Sequence, residues 1–129
     1  MTAQTFHDLL RQKAHVFITT IMSDGSPHTT MTWVDTDGDH ALVNIPAGTV
    51  KDRNISRDPR VSLAIADPDN PRHYIAARGT VVTTKQDLDM RHIDKLAEKY
   101  LGIPFAALGG PAHERLILTI QVDAIHEMR

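Results

Sequence analysis

Six stretches of the chain are rich in β-branched and aromatic residues, and several alternate apolar with polar positions, as a β-strand does. They cover residues 15–22, 28–37, 40–46, 60–67, 73–84 and 115–128. An Asp-Gly dipeptide separates the first stretch from the second, and another separates the second from the third. Because this dipeptide favours hairpin turns, the pattern predicts an antiparallel meander at the start of a mainly β chain.

Two other stretches show the helical period. Residues 4–13 place Phe6, Leu9 and Leu10 on one face, which predicts a short helix that covers one end of the core. Before the last strand, residues 85–102 place apolar side chains on one helical face: Leu88, Ile93, Leu96, Ala97 and Tyr100. Gly102 fits the residue at which such a helix ends.

The remaining segments are predicted as loops. The prolines of segment 68–72 cannot donate to a sheet, so this segment is expected to leave it. Segment 103–113 is interrupted by glycine and proline, and its Gly109-Gly110-Pro111 portion is interpreted as a turn, with a lid as the alternative. About six antiparallel strands must dispose of their edges, which favours a closed or partly closed barrel over a sandwich.

Composition narrows the range of functions. A chain of 129 residues has the size of one domain, and residues 1–129 are predicted to form one. A net charge of -2 gives no general attraction to nucleic acid or to acidic membranes, and neither is expected as a partner. The N-terminus lacks the apolar run of a signal peptide, and no stretch approaches the roughly 20 apolar residues of a membrane span. A cytoplasmic location is therefore expected.

Several kinds of catalytic site are excluded by the motifs. The chain has no cysteine, which excludes disulfides, thiolate metal sites and cysteine nucleophiles. None of the eight histidines forms a pair at the i, i+2 or i+4 spacing, and no HExxH motif occurs, so no metal site is expected. Neither a Gly-x-Ser-x-Gly elbow nor a GxGxxG fingerprint is present.

The segment 44–60 is the strongest candidate for a binding site. It opens with a Pro-Ala-Gly turn and then places four cations along a short stretch: Lys51, Arg53, Arg57 and Arg60. A turn of small residues followed by cations suits an anionic group such as phosphate, because backbone N–H groups and side-chain donors can both point at it. The alternative is an ordinary solvated helix.

Polar side chains on the second predicted strand extend this candidate site. Thr29, Thr30, Thr32 and Trp33 belong to the strand that neighbours the one leading into segment 44–60. A planar, phosphate-tailed ligand would fit there, with its ring against the sheet and its tail among the cations. The alternative for the threonines is simple β propensity.

The order of these motifs resembles the pyridoxamine-phosphate-oxidase-like family of FMN-binding split β-barrel proteins, and within it the branch that uses the deazaflavin coenzyme F420. The matching positions are 25–28, 32–33, 44, 47–49, 51–55 and 57–63. The resemblance extends from about residue 8 to residue 125. It implies a homodimer of split β-barrels with cofactor sites in grooves at the subunit interface.

The resemblance also implies roles for individual residues. Lys51 and Arg53 match positions that hold the cofactor phosphate, and their neighbours Thr49, Val50 and Asn54 belong to the same site.

Three further matches concern the ring and the tail of the cofactor. Thr32 and Trp33 match the strand that flanks the ring, and Asn44 belongs to the same site. Arg57 and Arg60 either meet the carboxylates of a polyglutamate tail or are surface arginines. The region from Asp67 to Tyr74 is placed to reach across from the partner subunit.

The activity implied by the resemblance is hydride transfer between reduced F420 and an electron-poor conjugated small molecule. The cofactor carries this chemistry, which agrees with the absence of a catalytic dyad. His28, His73 and Tyr74 are the candidate proton donors. Two alternatives remain open: an FMN-dependent flavoprotein, and a non-catalytic protein that binds flavin or deazaflavin.

Overall fold

The computed structural model describes residues 2–109 and 113–129. In these residues seven strands form one antiparallel sheet in the order β2-β1-β5-β6-β7-β4-β3. The strands are β1 (Val16–Ile21), β2 (Pro27–Thr32), β3 (Val34–Thr36), β4 (Ala41–Pro46), β5 (Arg60–Asp67), β6 (Asn70–Gln86) and β7 (Arg115–Met128). The helices are α1 (Thr2–Arg11), α2 (Val50–Arg57) and α3 (Arg91–Leu101). The prediction of a mainly β fold with a short N-terminal helix and a helix before the last strand is confirmed.

Trp33 interrupts the stretch that was predicted as a single strand over 28–37. It separates β2 from β3, which lie at opposite edges of the sheet although one residue joins them. The sheet must therefore curl until its two edges meet at Trp33, which gives the split barrel that was expected. Because of this break, the sheet has seven strands rather than the six that were predicted. We call the junction of the two sheet edges at Trp33 the Trp33 seam.

The core fills the inside of the curled sheet. Phe6 and Leu10 of α1 are fully buried and cover one end, as their helical spacing predicted. The inner faces of the strands supply most of the other buried side chains: Val16, Ile18, Val34, Val43, Ile45, Val61, Leu63, Ile65, Ile75, Leu118 and Ile120. Full burial of each large aliphatic side chain is worth about 1.5–3 kcal/mol, so this cluster provides the main stabilisation.

The segment 68–72 was predicted to leave the sheet, which is correct for Pro68 and Asp69 and wrong for residues 70–72. β5 and β6 form a hairpin around the two residues Pro68 and Asp69, and β6 begins at Asn70. The pairing jumps from Ala66 opposite Tyr74 to Asp67 opposite Asn70, so residues 71–73 form a bulge. Pro71 lies in this bulge, where its missing N–H removes no bond from the ladder.

Gly79 is required by close packing between β6 and β7. The pairing of β6 with β7 shifts register between Arg78 and Gly79. A Cβ atom on Gly79 would lie 2.6 Å from the Gln121 carbonyl oxygen and 2.7 Å from Cγ2 of Ile120. Only glycine allows the two strands to approach so closely.

The helix before the last strand begins later than predicted, because β6 continues through Gln86. Leu88 lies in the short 3-10 helix Leu88–Met90 and is 68% exposed, so its predicted place on the buried face is wrong. Gly102 ends α3 with a φ of 72°, as predicted. A second 3-10 helix, Phe105–Leu108, follows. Of the Gly109-Gly110-Pro111 segment, which was interpreted as a turn or a lid, residues 110 and 111 lie outside the described residues.

The helices are short. No helix in the described part of the chain has the length and apolar content needed to cross a membrane.

Candidate functional site

A groove opens beside the Trp33 seam, between the end of β4, the start of α2 and the start of β7. Its volume is about 210 Å³. The side chains that line it are Met31, Thr32, Trp33, Asn44, Pro46, Lys51, Ile93, Phe105 and Arg115. The structure therefore brings together four residues that the sequence assigned to cofactor binding: Thr32, Trp33, Asn44 and Lys51.

The aromatic wall of the groove is fixed by α3. The Trp33 ring stacks on Tyr100 with the centroids 5.3 Å apart and an interplanar angle of 8°. The Tyr100 hydroxyl donates to the Ala14 carbonyl oxygen at 2.8 Å and accepts from the Val34 N–H at 3.3 Å. These bonds supply partners for backbone groups near the seam and hold the Trp33 ring at the groove wall.

Lys51 projects into the groove from the first turn of α2. Thr49 caps this helix, because its Oγ1 accepts from the Asp52 N–H at 3.4 Å. The Asp52 carboxylate accepts from the Gly48 N–H at 2.7 Å. No carboxylate of the described residues forms an ion pair with Lys51. Burial lowers the pKa of Lys51, and the Arg115 guanidinium adds to this effect. A half-buried cation without a counterion favours an anionic ligand.

Arg115, the first residue of β7, is a second cation in the groove that sequence reasoning did not select. Its Nε donates to Oδ1 of Asn44 at 2.7 Å, and its guanidinium carbon lies 5.0 Å from the centroid of the Phe105 ring. Burial lowers the pKa of Arg115, but a guanidinium stays charged at neutral pH. Arg115 pairs with Pro46 across β4 and β7, and nothing in the sequence indicates that pairing.

A buried network supports Arg115 from behind. The Nδ2 of Asn44 donates to Oδ2 of Asp87 and to Nδ1 of His92, each at 3.0 Å. The Asp87 carboxylate also accepts from the N–H groups of His92 and Ile93, both at 2.9 Å. These two N–H groups belong to the first turn of α3, where they have no partner within the helix. Asn44 thus serves the groove by holding Arg115.

This combination of a split barrel, a cationic groove and an aromatic seam agrees with the comparison of the sequence with known families. A family model described as pyridoxamine 5'-phosphate oxidase matches residues 2–129. The chain belongs to the pyridoxamine 5'-phosphate oxidase family. Comparison with curated proteins gave no match.

Several solved structures have the same fold as this chain. An F420 reductase superposes with a TM-score of 0.83 at 28% identity, covering 93% of this chain and 94% of that chain. A conserved hypothetical protein from Mycobacterium tuberculosis superposes with a TM-score of 0.78 at 22% identity, covering 99% of this chain and 84% of that chain. The General Stress Protein 26 from Bacillus anthracis superposes with a TM-score of 0.69 at 16% identity, covering 98% of this chain and 91% of that chain. The last two likenesses concern the fold alone.

Other residues that the family resemblance assigned to the phosphate make contacts within the chain. Arg53 is exposed, and its Nη1 donates to the Gly48 carbonyl oxygen at 2.7 Å. Asn54 is buried, and its Nδ2 donates to Oγ1 of Thr20 at 3.0 Å. Val50 is the first residue of α2 and is partly buried. Their assignment to the cofactor site stays a prediction.

The two arginines proposed for a cofactor tail are also engaged. Arg57 Nη2 donates to the Ile21 carbonyl oxygen and to Oδ1 of Asn54, both at 2.9 Å. Arg60 contacts Asp58 with both ends of its guanidinium, at 3.0 and 2.7 Å. Arg60 lines a separate depression of about 520 Å³ rather than the groove.

The three candidate proton donors are not among the residues that line the groove. His28 is partly buried on β2. Tyr74 is exposed on β6 and lines another depression. His73 is buried, and its ring nitrogens lie 3.0 Å from Oδ2 of Asp67 and 2.7 Å from Oε2 of Glu127. Their role in proton transfer stays a prediction.

We expect the variant His73→Gln to change how stability depends on pH. The hydrogen bond with Asp67, followed by that with Glu127, raises the pKa of His73 above 6.5. A group whose pKa is higher in the folded state than in the unfolded state stabilises the fold fully at any pH below its unfolded-state pKa. This stabilisation is lost as the pH rises through the folded-state pKa. The native chain should therefore exceed His73→Gln in thermal stability below pH 6.5. Its advantage should shrink as the solution becomes alkaline.

A second loss is expected in strong acid. The bond to His73 lowers the pKa of both Asp67 and Glu127, so their contribution disappears as they become protonated. Thermal unfolding at a series of pH values measures the loss of stability in both alkaline and acidic solution. The control is His126→Gln, which replaces an exposed histidine. A difference between native chain and His73→Gln that stays constant with pH would contradict the paired arrangement.

Proposed function

We propose that this protein is an F420-dependent oxidoreductase that transfers a hydride between reduced deazaflavin and an electron-poor conjugated small molecule. Enones, quinones and tetrapyrroles are the substrate classes we favour. The observation that carries the proposal is the pair of cations Lys51 and Arg115 in a groove with aromatic walls. The 28% identity with an F420 reductase supports the choice of cofactor.

The side chains present fit a planar ring that carries a phosphate. Lys51 and Arg115 offer charge-assisted donors to the phosphate, and Trp33 and Phe105 offer flat apolar surface to the ring. No carboxylate is among the described residues that line the groove, so nothing there repels an anion. F420 and FMN share the tricyclic ring and the ribityl phosphate, and both meet this test.

The chain contributes binding and orientation, while a bound reduced deazaflavin supplies the hydride. Lys51 and Arg115 hold the phosphate, and the stacking of Trp33 on Tyr100 gives the ring a rigid wall. His28 lies on the same side of β2 as Thr32, four residues earlier in the strand. We place the proton donor at His28 ahead of His73, because carboxylates occupy both ring nitrogens of His73.

FMN is the second candidate cofactor, and one observation favours it. F420 continues beyond the phosphate into lactate and glutamates, for which extra cations are useful. Arg57 and Arg60, which the sequence offered for this tail, are held by Ile21 and Asp58. A cofactor that ends at its phosphate needs neither of them.

We further propose that the protein is a homodimer with a cofactor site at each interface groove. A volume of about 210 Å³ is below the range of roughly 300–1,000 Å³ for ligand pockets, so one chain covers only part of a tricyclic cofactor. Large apolar side chains lie exposed on the outer face of the sheet: Phe17, Met31, Tyr74 and Met128. Met31 belongs both to this apolar face and to the groove, so a second chain on the face would also complete the groove.

Replacement of Phe17 by aspartate tests this arrangement. Phe17 is 49% exposed on β1, and a charge there cannot be buried between two copies without a large desolvation cost. Light scattering should give twice the mass of 14.3 kDa for the native chain and 14.3 kDa for Phe17→Asp. The control Leu88→Asp adds the same charge to an exposed side chain outside the sheet and should stay dimeric. A native chain that is monomeric at micromolar concentration would contradict the shared site.

The function itself is tested by titration and turnover. Trp33, the only tryptophan, lines the groove, so its fluorescence reports binding of F420 and FMN directly. Hydride turnover is then measured with each reduced cofactor against a panel of enones, quinones and tetrapyrroles. Turnover with reduced F420 supports the proposal. Turnover with reduced FMN but not with reduced F420 would contradict it and support an FMN-dependent flavoprotein instead. Binding without turnover on any substrate would identify a non-catalytic binding protein.

A further inference from the structure

The orientation of the Asn44 amide follows from its partners. Asn44 Oδ1 faces Nε of Arg115, which can only donate, at 2.7 Å. Asn44 Nδ2 faces Oδ2 of Asp87, which accepts, at 3.0 Å. Turning the amide over would set a donor against a donor and an acceptor against an acceptor. The NH₂ group of Asn44 therefore also faces Nδ1 of His92, 3.0 Å away.

The tautomer of His92 follows in turn. Because Asn44 Nδ2 donates, Nδ1 of His92 must accept, and the ring is neutral with its proton on Nε2. This Nε2 is buried without a hydrogen-bond partner in the described structure, and Oδ2 of Asp35 lies 4.0 Å from it. Protonation would put an N–H at Nδ1 directly against the Asn44 NH₂ group. Asn44 would then have to turn over or move, and either change breaks its bond to Arg115.

We infer that His92 is a positioning residue of the groove: in its neutral form it orients Asn44, which holds the Arg115 guanidinium in place for an anion. The inference rests on the proposed function in so far as that anion is a cofactor phosphate. His92 touches neither ligand nor cofactor and acts only through Asn44. Protonation of His92 is therefore predicted to weaken anion binding.

The charged groups around His92 act in both directions. Burial lowers the pKa of His92 below 6.5, and Lys95 on α3 lowers it further. Asp35 on β3 and Asp87 before α3 raise it. Arg115 lies beyond Asn44 and is held by the same amide. Since burial is the largest of these effects, the pKa of His92 lies below 6.5 and the imidazole is neutral at neutral pH.

Simple electrostatics predicts the opposite trend. An added positive charge on a histidine near the groove should strengthen the binding of an anion as the pH falls. Loss of the Arg115 position should weaken binding, because one charge-assisted bond to the ligand is lost. The sign of the pH effect therefore separates a positioning role for His92 from a general charge effect.

FMN binding, followed through Trp33 fluorescence between about pH 5 and pH 8, measures this effect. The native chain is compared with His92→Asn, whose amide oxygen can accept from Asn44 and does not titrate. The FMN phosphate gains its own second proton near pH 6, but this change is common to both proteins and cancels in the comparison. On acidification the native chain should lose about tenfold more affinity than His92→Asn does. His40→Asn, which removes a histidine remote from the network, should retain the native pH profile.

A second measurement needs no ligand. The Nε–H of Arg115 gives an NMR signal that can be assigned by its absence in Arg115→Met. In the native chain this signal should shift with the titration of His92, and in His92→Asn it should stay constant between the same pH values. Equal pH profiles for FMN binding, together with an Arg115 signal that ignores His92, would overturn the inference. If the Arg115 signal follows His92 but FMN and F420 do not bind at any pH, the proposed function fails and the positioning role stands.

Discussion

Replacement of both Lys51 and Arg115 by methionine is expected to lower the affinity for F420 and for FMN by a factor of about 10²–10⁴. Each cation offers the phosphate a charge-assisted hydrogen bond, and such bonds contribute roughly 1.5–3 kcal/mol each. Methionine keeps the apolar stem of each side chain, so the change mainly removes charge. Trp33 fluorescence titration measures the dissociation constants, and circular dichroism confirms that the barrel persists.

Two matched variants show whether this loss is specific to the groove. Lys85→Met removes an exposed cation from β6 and should leave both affinities unchanged. Arg53→Met removes the cation that the family resemblance assigned to the phosphate together with Lys51. In the structure the guanidinium of Arg53 donates to the Gly48 carbonyl oxygen. We expect Arg53→Met to weaken binding by less than about tenfold, because it removes less than one full ligand bond. A loss for Arg53→Met larger than that for Arg115→Met would show that the phosphate lies nearer to Arg53, and would contradict the assignment of the phosphate to Lys51 and Arg115.

The parts of this fold that the sequence predicts are those set by local chemistry. The Asp-Gly turns mark the hairpins correctly, and the apolar spacing of Phe6, Leu9 and Leu10 identifies α1 and its buried face. Gly102 ends α3 because it takes a positive φ at no steric cost. Such features depend on neighbours within a few residues and are visible in the chain itself.

The parts that the sequence does not predict depend on distant pairing. Nothing local to Trp33 distinguishes a continuous strand from the seam, since the break is stabilised by Tyr100, which lies far along the chain. Pro71 argues locally against a strand, but a bulge opposite Ala66 and Asp67 accommodates it. In both cases tertiary contacts override the local preference.

The candidate site divides in the same way. Lys51 was found because it follows a turn of small residues within a few positions of the chain. Arg115 was missed because it reaches the groove only through the pairing of β7 with β4, where it lies opposite Pro46. The supporting Asp87 and His92 come from yet another segment and show no motif. Sequence reasoning therefore identified one cation of the groove and could not identify the one that tertiary structure adds.

The variant Asp87→Ala is expected to lower the free energy of unfolding by about 3–5 kcal/mol, because each buried donor left without an acceptor costs roughly 1–3 kcal/mol. The carboxylate of Asp87 accepts from three buried or half-buried donors, on Asn44, His92 and Ile93. Its removal leaves the N–H groups of His92 and Ile93 without an acceptor at the start of α3, and the Asn44 amide keeps only Nδ1 of His92. Urea unfolding of the native chain and the variant at the same chain concentration measures the change.

A graded series connects this loss of stability to the network itself. Asp87→Asn keeps one acceptor oxygen but points an NH₂ group at donors, so its stability should fall between that of the native chain and that of Asp87→Ala. The exposed turn residue Asp69, replaced by alanine, should change the free energy by less than about 0.5 kcal/mol. Both Asp87 variants should also weaken FMN binding, since Asn44 then loses an anchor and Arg115 its fixed position. A stability of Asp87→Ala within about 1 kcal/mol of the native value would mean that solvent replaces the carboxylate, and that the groove is not supported from behind.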